Sequence, residues 1–412
     1  MDRFRFLKDV TIRGTHNTSY SKRKNHAYQS KILRILSHAI YLEKLKLLDV
    51  DDLLDNFPEA IGQLAGLTML REVACSDARK LLGWVGQLRA PLTKLSFTLD
   101  DGDEPVDLLS IIPHLRSTLR SLSVGEVFFD PDYPEFPLVK DLTVDTVYTV
   151  MYSAGYSASG IFRLFPNLKS LKFPNEPLDV DFLALAEEDI HERHEEHLDL
   201  ATRHGVVDKV LEELTGCVAD LYRGAYICRV KKLSVHYLDY LNVLWLRPLL
   251  VHMRPSSLSL AFRLCDSGFG MMPALLHVFQ EVSTLGSLRH LSLDFDFEDA
   301  VQIGLARSIV AALPEVLRHL SITRLRITCW KLEEYSDSDH FLSHEVDWRE
   351  VVLRILLVAP TLLSVEIDSL LSSSFSMKAF DIPKNLVKKA QQRFKGRVAV
   401  MNYIRRRISC FD

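Results

Sequence analysis

The segment 165–173 reads "FPNLKSLKF", and 136–144 reads "FPLVKDLTV". Each sets an apolar residue, two others, Leu, one other, then a second apolar residue. The last three positions alternate, which is the period of a strand with one buried face. The same spacing recurs as Leu7/Val10/Ile12, Leu42/Leu45/Leu47, Leu70/Val73/Cys75, Leu92/Leu95/Phe97, Leu119/Leu122/Val124, Val139/Leu142/Val144 and Leu168/Leu171/Phe173. It resumes as Val230/Leu233/Val235, Pro255/Leu258/Leu260, Leu288/Leu291/Leu293, Leu317/Leu320/Ile322 and Leu362/Val365/Ile367, with a degenerate copy at Val398 and Val400. Most middle residues lie 20 to 35 positions apart.

Between these triplets run segments of helical spacing, such as "YQSKILRILSHAI" from Tyr28 and "DAVQIGLARSIVAAL" from Asp299. One strand and one helix cannot bury their apolar faces alone, whereas stacked copies share a continuous core. The expectation is a single α/β solenoid over 1–412, an irregular horseshoe of leucine-rich repeats with a parallel inner sheet and outer helices. Leu45, Leu95, Leu122, Leu142, Leu171, Leu233, Leu258, Leu291 and Leu320 are its predicted core.

The "LFPNLKSL" start at Leu164 to Leu171 resembles the leucine-rich repeat region of fungal F-box proteins. The resemblance covers most of the chain and implies a substrate-recognition role in a ubiquitin ligase. Such repeats usually place Asn or Cys just beyond the strand, where this chain has Val50, Asp100, Val127, Glu176, Asp296 and Leu325. No Leu-Pro-x-Glu helix start precedes Leu7, so the expectation is a repeat region lacking its F-box, with no docking of the F-box adaptor.

The spacing breaks between Phe173 and Val230. An insert over 175–205 carries ten carboxylates between Glu176 and Asp199, against Arg193 alone. It reads as helical, docked by Phe182, Leu183 and Leu185 and otherwise solvated. His191, His194 and His197 fall at i, i+3 and i+6. Zinc sites on one helix use i and i+4, so these histidines predict a solvated face rather than a metal site.

The strand alternation also selects an outward column: Thr11, Lys46, Ala74, Ser96, Ser123, Thr143, Lys172, Ser234, Ser259, Ser292, Ser321 and Glu366. Hydroxyls fill eight of these twelve places, which suits a solvated concave face that orders at little entropic cost. Next to each first apolar residue stand Lys8, Arg71, Arg120, Lys140, Lys169, Lys231, Arg289 and Arg318, a basic rim. Asp145, Asp294 and Asp368 lie at the other strand ends. Mixed charge of this kind selects protein partners by complementarity.

Of 412 residues, 47% are hydrophobic and 25% charged, the balance of a folded globular chain. The net charge of -4 is unevenly spread: 1–34 carry +7 and 384–412 carry +8, leaving -19 between them. An acidic body opposes a polyanion, so nucleic acid is not the expected ligand. Six dispersed cysteines without a Cys-x-x-Cys pair exclude a disulfide framework and a zinc knuckle. The N-terminus lacks a signal-peptide apolar run, and "YLNVLWLRPLLVHM" is broken by Arg247 and Pro248. An intracellular protein, cytoplasmic or nuclear, is expected, with no membrane association and no cofactor. No phosphate loop, dinucleotide fingerprint or Gly-x-Ser-x-Gly elbow occurs. "YSASG" at 156–160 reads as a turn opening a helix. The sequence therefore predicts a non-catalytic protein-interaction module. The alternative is anion or nucleic-acid binding through the basic rim and the basic termini.

Overall fold

The computed structural model describes residues 5–13, 31–32, 35–36, 38–48, 62, 64–76, 79–99, 106–125, 127–130, 132–145, 157–174, 187–264, 271–282, 286–297, 303–331, 348–359, 361–369 and 376–381. The chain divides into two compact units, Met1–Leu178 with Glu195–Val206, and Asp179–His194 with Val207–Asp412.

The first unit contains β1 (Asp9–Arg13), β2 (Lys44–Leu48), β3 (Glu72–Ser76), β4 (Lys94–Thr98), β5 (Val106–Asp107), β6 (Ser121–Gly125), β7 (Val127–Phe128), β8 (Asp141–Asp145) and β9 (Ser170–Lys172). Seven of these strands form one parallel run in the order β1-β2-β3-β4-β6-β8-β9, while β5 and β7 pair separately. The middle apolar residues stand opposite one another throughout: Val10, Leu45, Val73, Leu95, Leu122, Leu142 and Leu171. Leu45, Leu95 and Leu171 have no accessible surface at all. The phenylalanines that open the two quoted segments approach each other, with Phe136 and Phe165 ring centroids 6.2 Å apart. The Phe136 N–H donates to the Leu164 carbonyl at 2.7 Å, and the Asn167 side-chain amide donates to the Pro137 carbonyl at 2.9 Å. Repeated sequence thus becomes stacked structure. Ser157 caps the helix Ala158–Leu164, accepting from the Gly160 N–H at 3.1 Å, as the turn reading of "YSASG" expects.

The second unit contains β10 (Val210–Cys217), β11 (Arg229–Leu238), β12 (Ser257–Leu264), β13 (His290–Phe297), β14 (Arg324–Lys331), β15 (Ser364–Ser369) and β16 (Ser376–Asp381). They pair in chain order, in parallel up to β15, and β16 closes the run antiparallel. Neither run closes into a barrel. Long crossovers carry the helices Leu246–Met253, Met271–Glu281, Ile303–Leu317 and Trp348–Val358. Parallel neighbours require such crossovers, because a hairpin cannot reverse the chain twice. Leu214, Leu233, Leu258, Leu291, Leu325 and Val365 align as the buried row. Phe262 and Phe295 stack beneath, 5.1 Å apart.

Two expectations are corrected here. Leu317/Leu320/Ile322 has the strand spacing, but Leu317 ends a helix and Leu320 plugs the turn behind it. The strand starts at Arg324, where Ile322/Leu325/Ile327 repeats the same spacing five residues later. The break from Phe173 to Val230 is also not empty of strand. β10 lies within it, with Leu211/Leu214/Gly216 in register with Val230/Leu233/Val235. Glycine at the third position erased the apolar signal. The Val398/Val400 copy and Phe182, Leu183 and Leu185 lie outside the described residues.

Candidate binding surface on the sheet

Successive strand residues point to opposite faces, so the column between the two buried positions stands on the face away from the core. In the first unit Thr11, Lys46, Ala74, Ser96, Ser123, Thr143 and Lys172 form one aligned row. All are exposed or half-buried, against the near-zero exposure of their neighbours in the core. In the second unit the row is Thr215, Ser234, Ser259, Ser292, Arg326 and Glu366. Arg326 takes the place expected for Ser321, which lies in the turn before β14. Thr215 was hidden in the sequence by the same glycine that hid β10.

The rim is built by the backbone. The Lys8 carbonyl accepts from both Glu43 and Lys44 N–H groups, and the pattern repeats through Glu43, Arg71, Thr93, Arg120 and Lys140 to Lys169. Each rung therefore places one rim residue above the next, at the strand spacing of about 4.8 Å. In the second unit the corresponding residues are Lys231, Ser256, Arg289, Thr323 and Leu363. Where the rim is not basic, a hydroxyl commonly folds back on the preceding carbonyl. Thr93 donates to Arg71 O at 3.2 Å, Ser256 to Lys231 O at 2.9 Å and Thr323 to Arg289 O at 3.0 Å. Arg318 is not part of the rim. It follows the last residue of a helix and pairs with Glu315 at 2.8 Å.

The charges of the first unit are partly spent on one another. Lys8 pairs with Glu43 at 2.8 Å, and Lys44 with Glu72 at 2.9 Å. The Lys8 hydrogen bond lowers the Glu43 pKa, and the Glu72 bond raises that of Lys44. Lys46, Lys94, Arg120 and Lys140 form no ion pair with any described residue. Arg120 and Lys140 stand on adjacent rungs of the rim, with Lys169 next.

The histidine helix is not a solvated face. On Glu187–Arg203, Ile190, His194, His197 and Ala201 are all buried. The His194 Nδ1–H donates to the Tyr222 carbonyl at 2.5 Å, and its ring stacks on Tyr222 at 3.8 Å and 11°. Tyr222 stacks in turn on Trp245 at 5.7 Å. His191 shares a 3.0 Å hydrogen bond with the Tyr222 hydroxyl. The i, i+3 spacing thus serves aromatic packing, a use that neither charge count nor metal spacing discloses. Among the described residues no group of three or more His, Cys, Asp and Glu is placed to hold a metal ion. Ser159 and His204 share a hydrogen bond in the first unit, with Ser159 buried and His204 exposed. Among the described residues, no helix is long and apolar enough to cross a membrane.

No protein-family model matches the chain, and no curated protein matches it in sequence.

Proposed function

We propose that the chain is an irregular leucine-rich repeat solenoid that binds a protein partner on the open face of its parallel sheet. The aligned outward columns support this reading most directly. A row of small hydroxyls, bounded by charges, has little side-chain entropy to lose on contact. In the first unit the occupant is an acidic protein segment. Lys46, Lys94, Arg120 and Lys140 lack ion-pair partners among the described residues, while Glu43 and Glu72 are already engaged. Charge complementarity of this kind steers encounter and rejects wrong partners. By the resemblance to F-box repeat proteins, the bound protein would be a substrate presented for ubiquitination. The module itself is non-catalytic.

The test is a photo-reactive residue placed at Ser123, compared with one at exposed Arg163 on the helix Ala158–Leu164. Capture of a protein through an Asp- or Glu-rich peptide at Ser123 alone supports the proposal. Loss of that capture on Arg120→Glu with Lys140→Glu, at unchanged melting temperature, completes it. Equal capture from Arg163 would overturn it, and capture of RNA instead would favour anion binding through the rim.

A further inference from the structure

β1 (Asp9–Arg13) begins the parallel run of the first unit, and among the described residues no strand pairs with its outer edge. All five of its residues hold register with β2, without proline and without a bulge. Natural sheets usually blunt such an edge, because its free N–H and C=O groups template another strand.

The Lys8 carbonyl accepts from the Glu43 and Lys44 N–H groups, so it points towards β2. Backbone groups alternate in direction along a strand, and those of Val10 and Ile12 therefore point the same way. The N–H and C=O groups of Asp9, Thr11 and Arg13 face the outer edge. Apolar cover is missing on that side as well. Val10 is half-buried, whereas Leu45 and Val73 in the same row are 0% and 1% exposed. Phe6, just ahead of the strand, is 75% exposed.

The sequence of β1, "DVTIR", complements itself read backwards. An antiparallel copy centred on Thr11 sets Asp9 opposite Arg13, Val10 opposite Ile12, and Thr11 opposite its own counterpart. Asp9, Thr11 and Arg13 are exposed on the open face, while Val10 and Ile12 turn towards the core. Opposed residues of an antiparallel pair share a face, so charge meets opposite charge and apolar meets apolar. The three residues with free backbone groups also fall opposite one another, as hydrogen-bonded pairs require. Arg13 forms no ion pair with any described residue. Lys44, in register with Asp9 on β2, is engaged by Glu72 at 2.9 Å. A parallel copy in register would set Asp9 against Asp9 and Arg13 against Arg13, which is repulsive.

We propose that β1 pairs antiparallel with β1 of a second copy of this chain, about a two-fold axis at Thr11. Each opposed pair with free backbone groups exchanges two hydrogen bonds, and an Asp9–Arg13 ion pair forms on either side of the axis. Ile12 of one copy covers Val10 of the other. The first-unit sheets then run on as one, and their outward rows form a continuous surface. This pairing lies at the edge of the sheet and is independent of what the open face binds.

The test is sedimentation of the full chain over a range of concentrations. Five residues make a small interface, so dimer is expected to form only above about 10 µM. Asp9→Arg sets arginine against Arg13, and Arg13→Asp sets a carboxylate against Asp9. Each variant alone is expected to weaken association about tenfold or more. Mixed in equal amounts, the two are expected to pair with each other, because one edge is then wholly basic and the other wholly acidic. The double variant, Asp9→Arg with Arg13→Asp, is expected to recover self-association. A monomer at every concentration of the natural chain overturns the proposal, whatever the variants do. A dimer unchanged in both single variants, or a mixture that stays monomeric, overturns it as well.

Discussion

Asp239 and Asn242 cap each other. The Asp239 N–H donates to Asn242 Oδ1 at 3.0 Å, and the Asn242 N–H donates to Asp239 Oδ1 at 2.9 Å. This reciprocal pair opens the turn leading to the helix Leu246–Met253, and the Leu241 N–H adds a third bond at 2.8 Å. Burial raises the Asp239 pKa above its ordinary 3.8, opposed by the Asn242 and Leu241 N–H bonds and by Arg263. A carboxyl whose folded pKa is raised contributes stability that is fully present below its unfolded pKa. That contribution is lost as pH rises through the folded value. Asp239→Asn keeps the cap and removes the charge. The stability of the natural chain relative to Asp239→Asn should therefore fall as pH rises above 3.8, measured by urea unfolding from pH 3.5 to pH 7. A difference that grows with pH in favour of Asp239 would contradict this.

The stack of His194 on Tyr222 packs the first part of the acidic helix, up to His194, into the second unit rather than leaving it an appendage. His194→Ala removes a buried hydrogen bond and one layer of the stack, at a cost of about 1–3 kcal/mol. His191 is exposed, and its substitution by Ala should cost less than half as much. Chemical unfolding of the two variants gives the comparison. Equal losses would mean that burial does not decide the contribution of these histidines.

Four thiols are buried: Cys75, Cys217, Cys228 and Cys329. Burial pushes all four pKa values up, those of Cys228 and Cys329 to about 12. The thiolate is the reactive species, so its population at pH 8 is negligible in the folded chain. These four should resist an alkylating reagent at pH 8 until urea unfolds the protein, as read by peptide mass spectrometry. Rapid labelling of Cys228 or Cys329 in the native state would show that their strands open locally.

The strand rows were legible because their signal is local and doubled. In Leu168/Leu171/Phe173 each residue is apolar, and the same pattern returns after a helix-length interval. Burial then needs only correct counting. The signal failed where one residue of the three departs, as at Gly216, where the ladder continues without a side chain to announce it. It also failed where a helix end and its turn mimic the spacing, as at Leu317 and Leu320. The two phases are indistinguishable in apolar content, and the crossover length decides between them. His194 was illegible for a different reason, since its value comes from Tyr222, which lies 28 residues away.

The phase at β14 can be tested directly, because the two readings assign opposite environments to Leu325 and leave Ser321 solvated in both. If the strand lay five residues earlier, over 319–326, Ser321 would stand in its outward column and Leu325 would face outward as well. With the strand at Arg324–Lys331, Ser321 is exposed in a turn, and Leu325 is 2% exposed between Leu291 and Val365. Placing a carboxylate at Ser321 then costs no more than about 0.5 kcal/mol, as at any exposed site. A carboxylate at Leu325 is buried without a partner and loses the leucine contacts as well, so more than about 4 kcal/mol is expected. Urea midpoints of Ser321→Asp and Leu325→Asp, taken at equal slope, measure both. Leu320→Ala adds a control. At 8% exposure Leu320 plugs the turn in either phase, so its truncation should cost about 2–5 kcal/mol regardless. A Leu325→Asp midpoint as high as that of Ser321→Asp would shift the strand five residues towards the N-terminus.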